Sequence, residues 1–209
     1  MKLIKPLLIV GLLALGATEA SAQPYYGGPP PNSTFPGGFH NRTGRLAFGF
    51  SLGLGGMSDS QGDINCPTCD YNPLSAEVSG HIGGFIGPRF ALLGEVQANI
   101  QTIAEDVNTS DTLEQSALMI AGQYWITPQL WIKGGIGFAN LQIQRSDAFG
   151  VFAQSQPENG TAIMGAIGFE LFSARNLAVD LQGRLLNGSY KGIDDNITAA
   201  SIGIGINWY

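Results

Sequence analysis

From Gly44 to Tyr209 the chain repeats one pattern eight times: segments of 9 to 14 residues in which apolar residues alternate with small or polar ones. In the first segment every even-numbered position from 46 to 54 is Leu or Phe, and Ala, Gly or Ser stand between them. Successive side chains of a β-strand point to opposite faces, so each segment predicts a strand with two different environments. The sequence therefore predicts an all-β fold, an eight-stranded antiparallel up-and-down barrel over 44–209.

Charged residues within the segments indicate which face meets lipid. They all fall opposite the apolar rows, at Glu77, Glu95, Lys133, Glu170, Asp180 and Arg184. A Lys or Arg at the bilayer midplane costs about 2–4 kcal/mol, so these residues are expected to face the lumen of a transmembrane barrel. The apolar rows carry the aromatic residues expected to face the membrane: Phe48, Phe50, Phe90, Tyr124, Phe138, Phe169 and Trp208.

A soluble sandwich or calyx would show the same alternation with its faces reversed. Its exterior would then carry Gly, Ala, Ser and very few charges, which solvate poorly. The membrane barrel is therefore favoured.

Buried charges are costly unless paired, so the lumen residues are expected to form an ion-pair network, with Lys133 and Glu170 as neighbouring partners. An ion-conducting path through the lumen is the alternative.

The connections between the segments alternate between short and long. Three are tight and four are longer and polar: 87–89, 127–129 and 173–176, against 56–74, about 102–114, about 145–160 and about 190–196. Short periplasmic turns and longer outer loops are typical of outer-membrane barrels. Acidic residues are concentrated in the long connections, which predicts an acidic outer surface.

The first residues are typical of a secretory signal peptide. Lys2 and Lys5 precede an apolar run over 7–15, and Ala-Ser-Ala at 20–22 supplies a cleavage pattern, so 1–22 is expected to be removed. An uncleaved membrane anchor is the alternative, but the run is short for a spanning helix. Residues 23–43 are rich in Pro and Gly, which predicts a periplasmic lead-in outside the barrel.

Composition agrees with a membrane barrel. Charged residues make up 12% of the chain, about half the usual ~25%, and 30 of the 209 residues are Gly. The net charge of −6 without a basic patch argues against nucleic-acid binding.

Two features of the sequence suggest chemistry. Cys66 and Cys69, in the first long connection, are expected to form a disulfide in an exported protein; a redox site would need a βαβ context, and free thiols are the other alternative. His81 shares the inward face of its strand with Ser79 and Glu77, but no hydrolase signature surrounds it. We therefore expect no enzyme activity, no catalytic residues, no metal site and no cofactor.

The eight segments, the alternating connections and the last strand together resemble the small eight-stranded outer-membrane barrels of the OmpA/OmpX type, often grouped with porin-family proteins. In that family the last strand ends in an aromatic residue, which implies recognition by the barrel-assembly machinery; here Trp208 and Tyr209 occupy that place, and the apolar row runs back from Trp208. The resemblance also implies that outer-membrane lipid and lipopolysaccharide surround the barrel.

The sequence thus favours an outer-membrane protein with a structural or surface-interaction role, whose surface ligand it does not identify. A narrow porin-type channel for small solutes is the alternative. Eight strands enclose a lumen that side chains nearly fill. Inward-facing glycines are expected to leave this lumen thinly filled: Gly49, Gly53, Gly83, Gly135, Gly137, Gly168, Gly203 and Gly205.

Overall fold

The computed structural model describes the chain at 34–35, 39–40, 42–59, 62–63, 74–106, 109–147, 150–174, 176–191 and 196–209. Within these residues eight long strands are named in chain order: β1 (Leu46–Asp59), β2 (Ser75–Phe85), β3 (Phe90–Asp106), β4 (Thr109–Trp125), β5 (Leu130–Asp147), β6 (Glu158–Ser173), β7 (Leu177–Tyr190) and β8 (Asn196–Trp208). Shorter strands pair Thr34–Phe35 with Phe39–His40, Gly62–Asp63 with β1, and Gly150–Gln154 with β5.

The eight strands close into a barrel. Each pairs antiparallel with the strand that follows it in the chain, and β8 pairs antiparallel with β1. At this last seam Ile206 lies opposite Phe50, and Trp208 lies opposite Phe48. Closure gives the main-chain groups of the first and last strands partners within the protein, as a hydrocarbon environment requires. The predicted fold is confirmed.

The outer surface of the barrel is apolar. Large hydrophobic side chains on all eight strands are exposed; Ile136, Phe138 and Ile202 are 69%, 75% and 68% exposed. A soluble monomer rarely exposes an apolar patch larger than a few hundred Å², whereas this surface runs around the whole barrel. The outer face is therefore suited to lipid. Within the described residues, no helix is long and apolar enough to cross a membrane.

The aromatic residues expected to face the membrane lie on this outer face. Phe48, Phe50, Tyr124, Phe138 and Phe169 are exposed. Phe90 is partly buried, and its ring lies over the position where Gly122 lacks a side chain. Trp208 stacks on Phe48, with ring centroids 5.1 Å apart and planes 7° apart. This stack lies on the β1–β8 seam.

The two ends of the barrel differ. At one, here called the turn end, strands are joined at 86–89, 126–129 and 174–176, close to where the sequence predicts tight connections. In the second of these, the Thr127 hydroxyl accepts hydrogen bonds from the main-chain N–H groups of Gln129 and Leu130, at 3.3 and 2.9 Å. The opposite end is called the loop end.

At the loop end, two of the predicted connections are wrong in extent. The segment expected to be a loop at about 102–114 is largely strand, because β3 runs to Asp106 and β4 begins at Thr109. Likewise β5 continues to Asp147 and pairs with Gly150–Gln154. Main-chain pairing therefore continues beyond the segments in which apolar and polar residues alternate.

Outward-facing residues become polar toward the loop end. Asn140 donates to the Asn159 side chain at 3.2 Å, and Asn187 donates to the Thr198 hydroxyl at 2.8 Å. Gln142 and Gln144 both donate to Glu114 Oε2, at 2.8 and 3.0 Å. These seven side chains, called the polar collar, mark where the apolar surface stops: Glu114, Asn140, Gln142, Gln144, Asn159, Asn187 and Thr198.

Candidate functional site

The middle of the lumen holds a compact cluster of charges from four strands, called the central cluster: Glu77, Glu95, Lys133 and Arg184. Lys133 Nζ lies 3.1 Å from Glu95 Oε2. Arg184 forms ion pairs with Glu95 and, at 3.6 Å, with Glu77, and donates to Gln97 Oε1 at 3.1 Å. Each of the four charged side chains is at most 2% exposed. Two acids therefore balance two bases across the lumen.

The expected pair of Lys133 with Glu170 is wrong. In the register of β5 and β6, Lys133 lies opposite Ala166, whereas the main-chain N–H of Glu170 bonds to Gln129 in the turn. The two side chains are therefore at different levels of the barrel. Lys133 reaches across the lumen to Glu95 on β3. The partner of Glu170 is a residue that does not belong to any barrel strand.

That partner is Arg42. Its Nη1 and Nη2 lie 3.2 Å from Glu170 Oε1 and 3.2 Å from Oε2, respectively. The guanidinium carbon lies 4.1, 5.2 and 5.8 Å from the ring centroids of Tyr209, Trp125 and Phe85. Arg42 is 7% exposed, although the sequence places it in the lead-in outside the barrel. We call Phe85, Trp125, Glu170 and Tyr209 the turn-end box.

Asp180 forms a third buried anionic centre beside the box. Its Oδ2 accepts hydrogen bonds from Trp131 Nε1 at 3.1 Å and from Asn207 Nδ2 at 2.8 Å. Asp180 is 1% exposed. The carboxylate is thus held by neutral donors, in contrast to Glu95 and Glu170, which face cations.

The lumen toward the loop end is filled as well. Gln115 donates to the Tyr190 hydroxyl at 2.9 Å and to the carbonyl oxygen of Ile197 at 3.0 Å. Gln101 accepts from the main-chain N–H of Met57 at 2.8 Å. Buried apolar side chains lie on the inward face near this end as well: Met57, Leu113, Leu141 and Leu186.

The expectation of a thinly filled lumen is therefore wrong. Side chains from neighbouring strands cover four of the inward glycines: Asn207 and His81 lie over Gly49, Glu77 over Gly53, Trp131 over Gly168, and Asp180 over Gly205. At Gly83, Gly135, Gly137 and Gly203 the backbone of the adjacent strand approaches the position of the missing Cβ. Gly49, Gly53, Gly168 and Gly205 therefore make room for larger side chains of neighbouring strands.

His81 faces inward, opposite Glu95 in the β2–β3 register. Ser79, its neighbour on the same face, shares a 2.6 Å hydrogen bond between hydroxyl groups with Ser51, which also donates to Glu77 at 3.4 Å. These contacts describe a structural polar row. Cys66 and Cys69 lie outside the described residues, as do the expected signal peptide over 1–22 and most of the expected lead-in over 23–43.

Sequence reasoning missed Arg42, Trp125, Trp131 and Tyr190 as lumen residues. The last three could have been predicted, because the alternation along β4, β5 and β7 places them on the inward face. Large rings are unexpected on a face that otherwise carries small and polar residues. Arg42 gave no periodic signal, since it precedes the first strand.

The chain was compared with known proteins. No protein-family model matches it, and no curated protein is similar to it in sequence. Its structure is similar to that of Ail, the attachment invasion locus protein of Yersinia pestis, with 11% identity and a TM-score of 0.51 over 77% of this chain and 97% of that one.

Two further structures extend this comparison. Ail in complex with the heparin analogue sucrose octasulfate gives 13% identity and a TM-score of 0.53, over 78% of this chain and 98% of that one. Neisserial surface protein A gives 11% identity and a TM-score of 0.48, over 78% and 95%. Identities this low concern the fold alone. The chain is a membrane β-barrel, and its fold is that of the small eight-stranded outer-membrane barrels.

Proposed function

We propose that this chain is a bacterial outer-membrane barrel with a closed lumen, whose role is structural or based on interactions at its outer surface. The observation that carries the proposal is the packed lumen. The turn-end box, the central cluster and the amides around Gln115 occupy three successive levels between the two ends. A barrel filled in this way acts as a rigid support in the bilayer for the connections at its loop end.

Orientation follows from the connections. Short turns face the periplasm in outer-membrane barrels, so the turn end is periplasmic and the loop end faces outward. The polar collar then lies at the level of the outer headgroups, where lipid and lipopolysaccharide surround the barrel. The barrel-assembly machinery is the expected partner during insertion, with Trp208 and Tyr209 as the recognised end of β8.

The outer surface is acidic. Asp59, Asp63 and Asp70 fall in or beside the first long connection, and Asp194 and Asp195 in the last. At the loop end Arg145 donates to both carboxylate oxygens of Asp111, at 2.6 and 2.5 Å, and this hydrogen bonding lowers the pKa of Asp111. A sulfated polyanion such as the ligand in the Ail complex is therefore disfavoured here. Basic surfaces or partners recruited through divalent cations suit this charge better.

Single-channel recording tests the closed lumen. The refolded chain in planar bilayers is expected to give no steady conductance, because charged and aromatic side chains block the lumen at three levels. A refolded porin in the same membranes serves as the positive control. A reproducible single-channel current from this chain would contradict the proposal and favour the narrow porin.

A further inference from the structure

The turn-end box surrounds one guanidinium group on two sides. The Glu170 carboxylate faces the edge of the group with two parallel contacts of 3.2 Å, the geometry in which a guanidinium and a carboxylate match best. The rings of Tyr209, Trp125 and Phe85 all lie within the ~6 Å at which a cation is attracted to an aromatic face. A planar cation is therefore recognised by both its edge and its faces.

The box is held together by contacts that do not involve Arg42. Trp125 Nε1 donates to Glu170 Oε1 at 2.8 Å, and the Tyr209 hydroxyl donates to the same oxygen at 3.4 Å. The rings also pack on one another, with centroids 5.1 Å apart for Phe85 and Trp125, and 5.8 Å for Trp125 and Tyr209. The site is thus positioned by β2, β4 and β6 together with the residue that follows β8.

The occupant comes from a different part of the chain. Arg42 precedes β1 and is joined to it by a turn in which Gly44 has a φ of 77°. The main-chain N–H of Arg45 bonds to the Arg42 carbonyl oxygen at 3.0 Å, and that of Gly44 bonds to the Phe85 carbonyl oxygen at 2.9 Å. Arg42 therefore belongs to a segment that is separate from the box, and one short turn joins that segment to β1.

We propose that the turn-end box is a guanidinium-binding site, filled in cis by Arg42, that accepts a small alkylguanidinium from solution when Arg42 is absent. The paired carboxylate oxygens select a planar group with two parallel N–H donors over the point charge of an alkylammonium. In the native chain the tether keeps the effective concentration of Arg42 high, so free ligand competes poorly.

The test is a titration of the refolded full chain in detergent micelles with ethylguanidinium, followed by tryptophan fluorescence, which Trp125 reports from within the box. Arg42→Ala is expected to show a saturable change at one site, whereas the native chain shows none over the same concentration range. Arg145→Ala is the matched control: it removes an Arg that pairs with Asp111 at the loop end, and it should behave as the native chain does.

Specificity decides the interpretation. In the Arg42→Ala background, ethylammonium should bind at least tenfold more weakly than ethylguanidinium, and the double variant R42A/E170Q should lose at least tenfold in affinity for ethylguanidinium. Equal responses to the two cations, full binding without the carboxylate, or no response in Arg42→Ala would each overturn the proposal. Should Arg42→Ala fail to fold, Arg42→Lys keeps the charge without the planar group, and the same order of ligands must appear there.

Discussion

At the scale of single residues, the charges in the lumen are individually costly and stable only as a set. Glu95 is the residue on which the central cluster depends, because it faces both Lys133 and Arg184. Removing one partner of a buried pair leaves the other without compensation, which typically costs about 3–5 kcal/mol. The partners were not evident from sequence, because they depend on which side chains reach across the lumen.

A double-mutant cycle tests this assignment. Lys133→Met and Glu95→Leu are each expected to lower the free energy of unfolding by about 3–5 kcal/mol, and the double variant should lose clearly less than the sum. The measurement is urea unfolding in lipid vesicles, followed by tryptophan fluorescence. The control cycle joins Lys133→Met to Glu170→Leu, whose side chains have different partners. Coupling in the control cycle and additivity in the first would reverse the assignment.

Sequence reasoning at this scale predicted the direction of the side chains but not their contacts. All six lumen charges are buried inside the barrel, as the alternation requires. The alternation alone predicts this burial, since the direction of a side chain is a local property of its strand. The pairing of Arg42 with Glu170 joins residues 128 apart, and no local pattern contains that information.

At the scale of strands, alternation predicted every barrel strand but not where each ends. The alternation is expected only where lipid lies on one side of a strand. It therefore ends at the polar collar, although β3, β4 and β5 continue beyond the collar. Strands beyond the bilayer have water on their outer face and need no apolar row. This explains why the turn-end boundaries were predicted better than the loop-end ones.

Arginine substitutions at two outward positions of β5 test the extent of the apolar surface. Ile136→Arg should destabilise the folded barrel by about 2–4 kcal/mol, because the charge would lie among lipid chains. Asn140→Arg, four residues further toward the loop end, should cost about 0–1 kcal/mol, because the polar collar lies near the interface. Urea unfolding in vesicles measures both. Equal losses would mean that the collar is not at the membrane surface.

At the scale of the whole molecule, the two ends of the barrel should lie on opposite sides of the outer membrane. Cysteine labelling on intact cells checks this, in a background where Cys66 and Cys69 are replaced by Ser. A membrane-impermeant thiol reagent is expected to label Gln156→Cys at the loop end but not Ala174→Cys at the turn end, since both positions are exposed on their own side. Labelling of Ala174→Cys alone would mean that the orientation is inverted.

The seam between β1 and β8 has a kinetic consequence. The other seams join strands that are neighbours in sequence, whereas this one brings residue 48 to residue 208. Hairpins close quickly and long-range pairings slowly, because the chain between the paired residues must lose more freedom first. Until the seam forms, the sheet has two open edges on which another copy could add. The stack of Trp208 on Phe48 thus lies at the last interface to form, and forming it ends the period in which the chain is prone to aggregate.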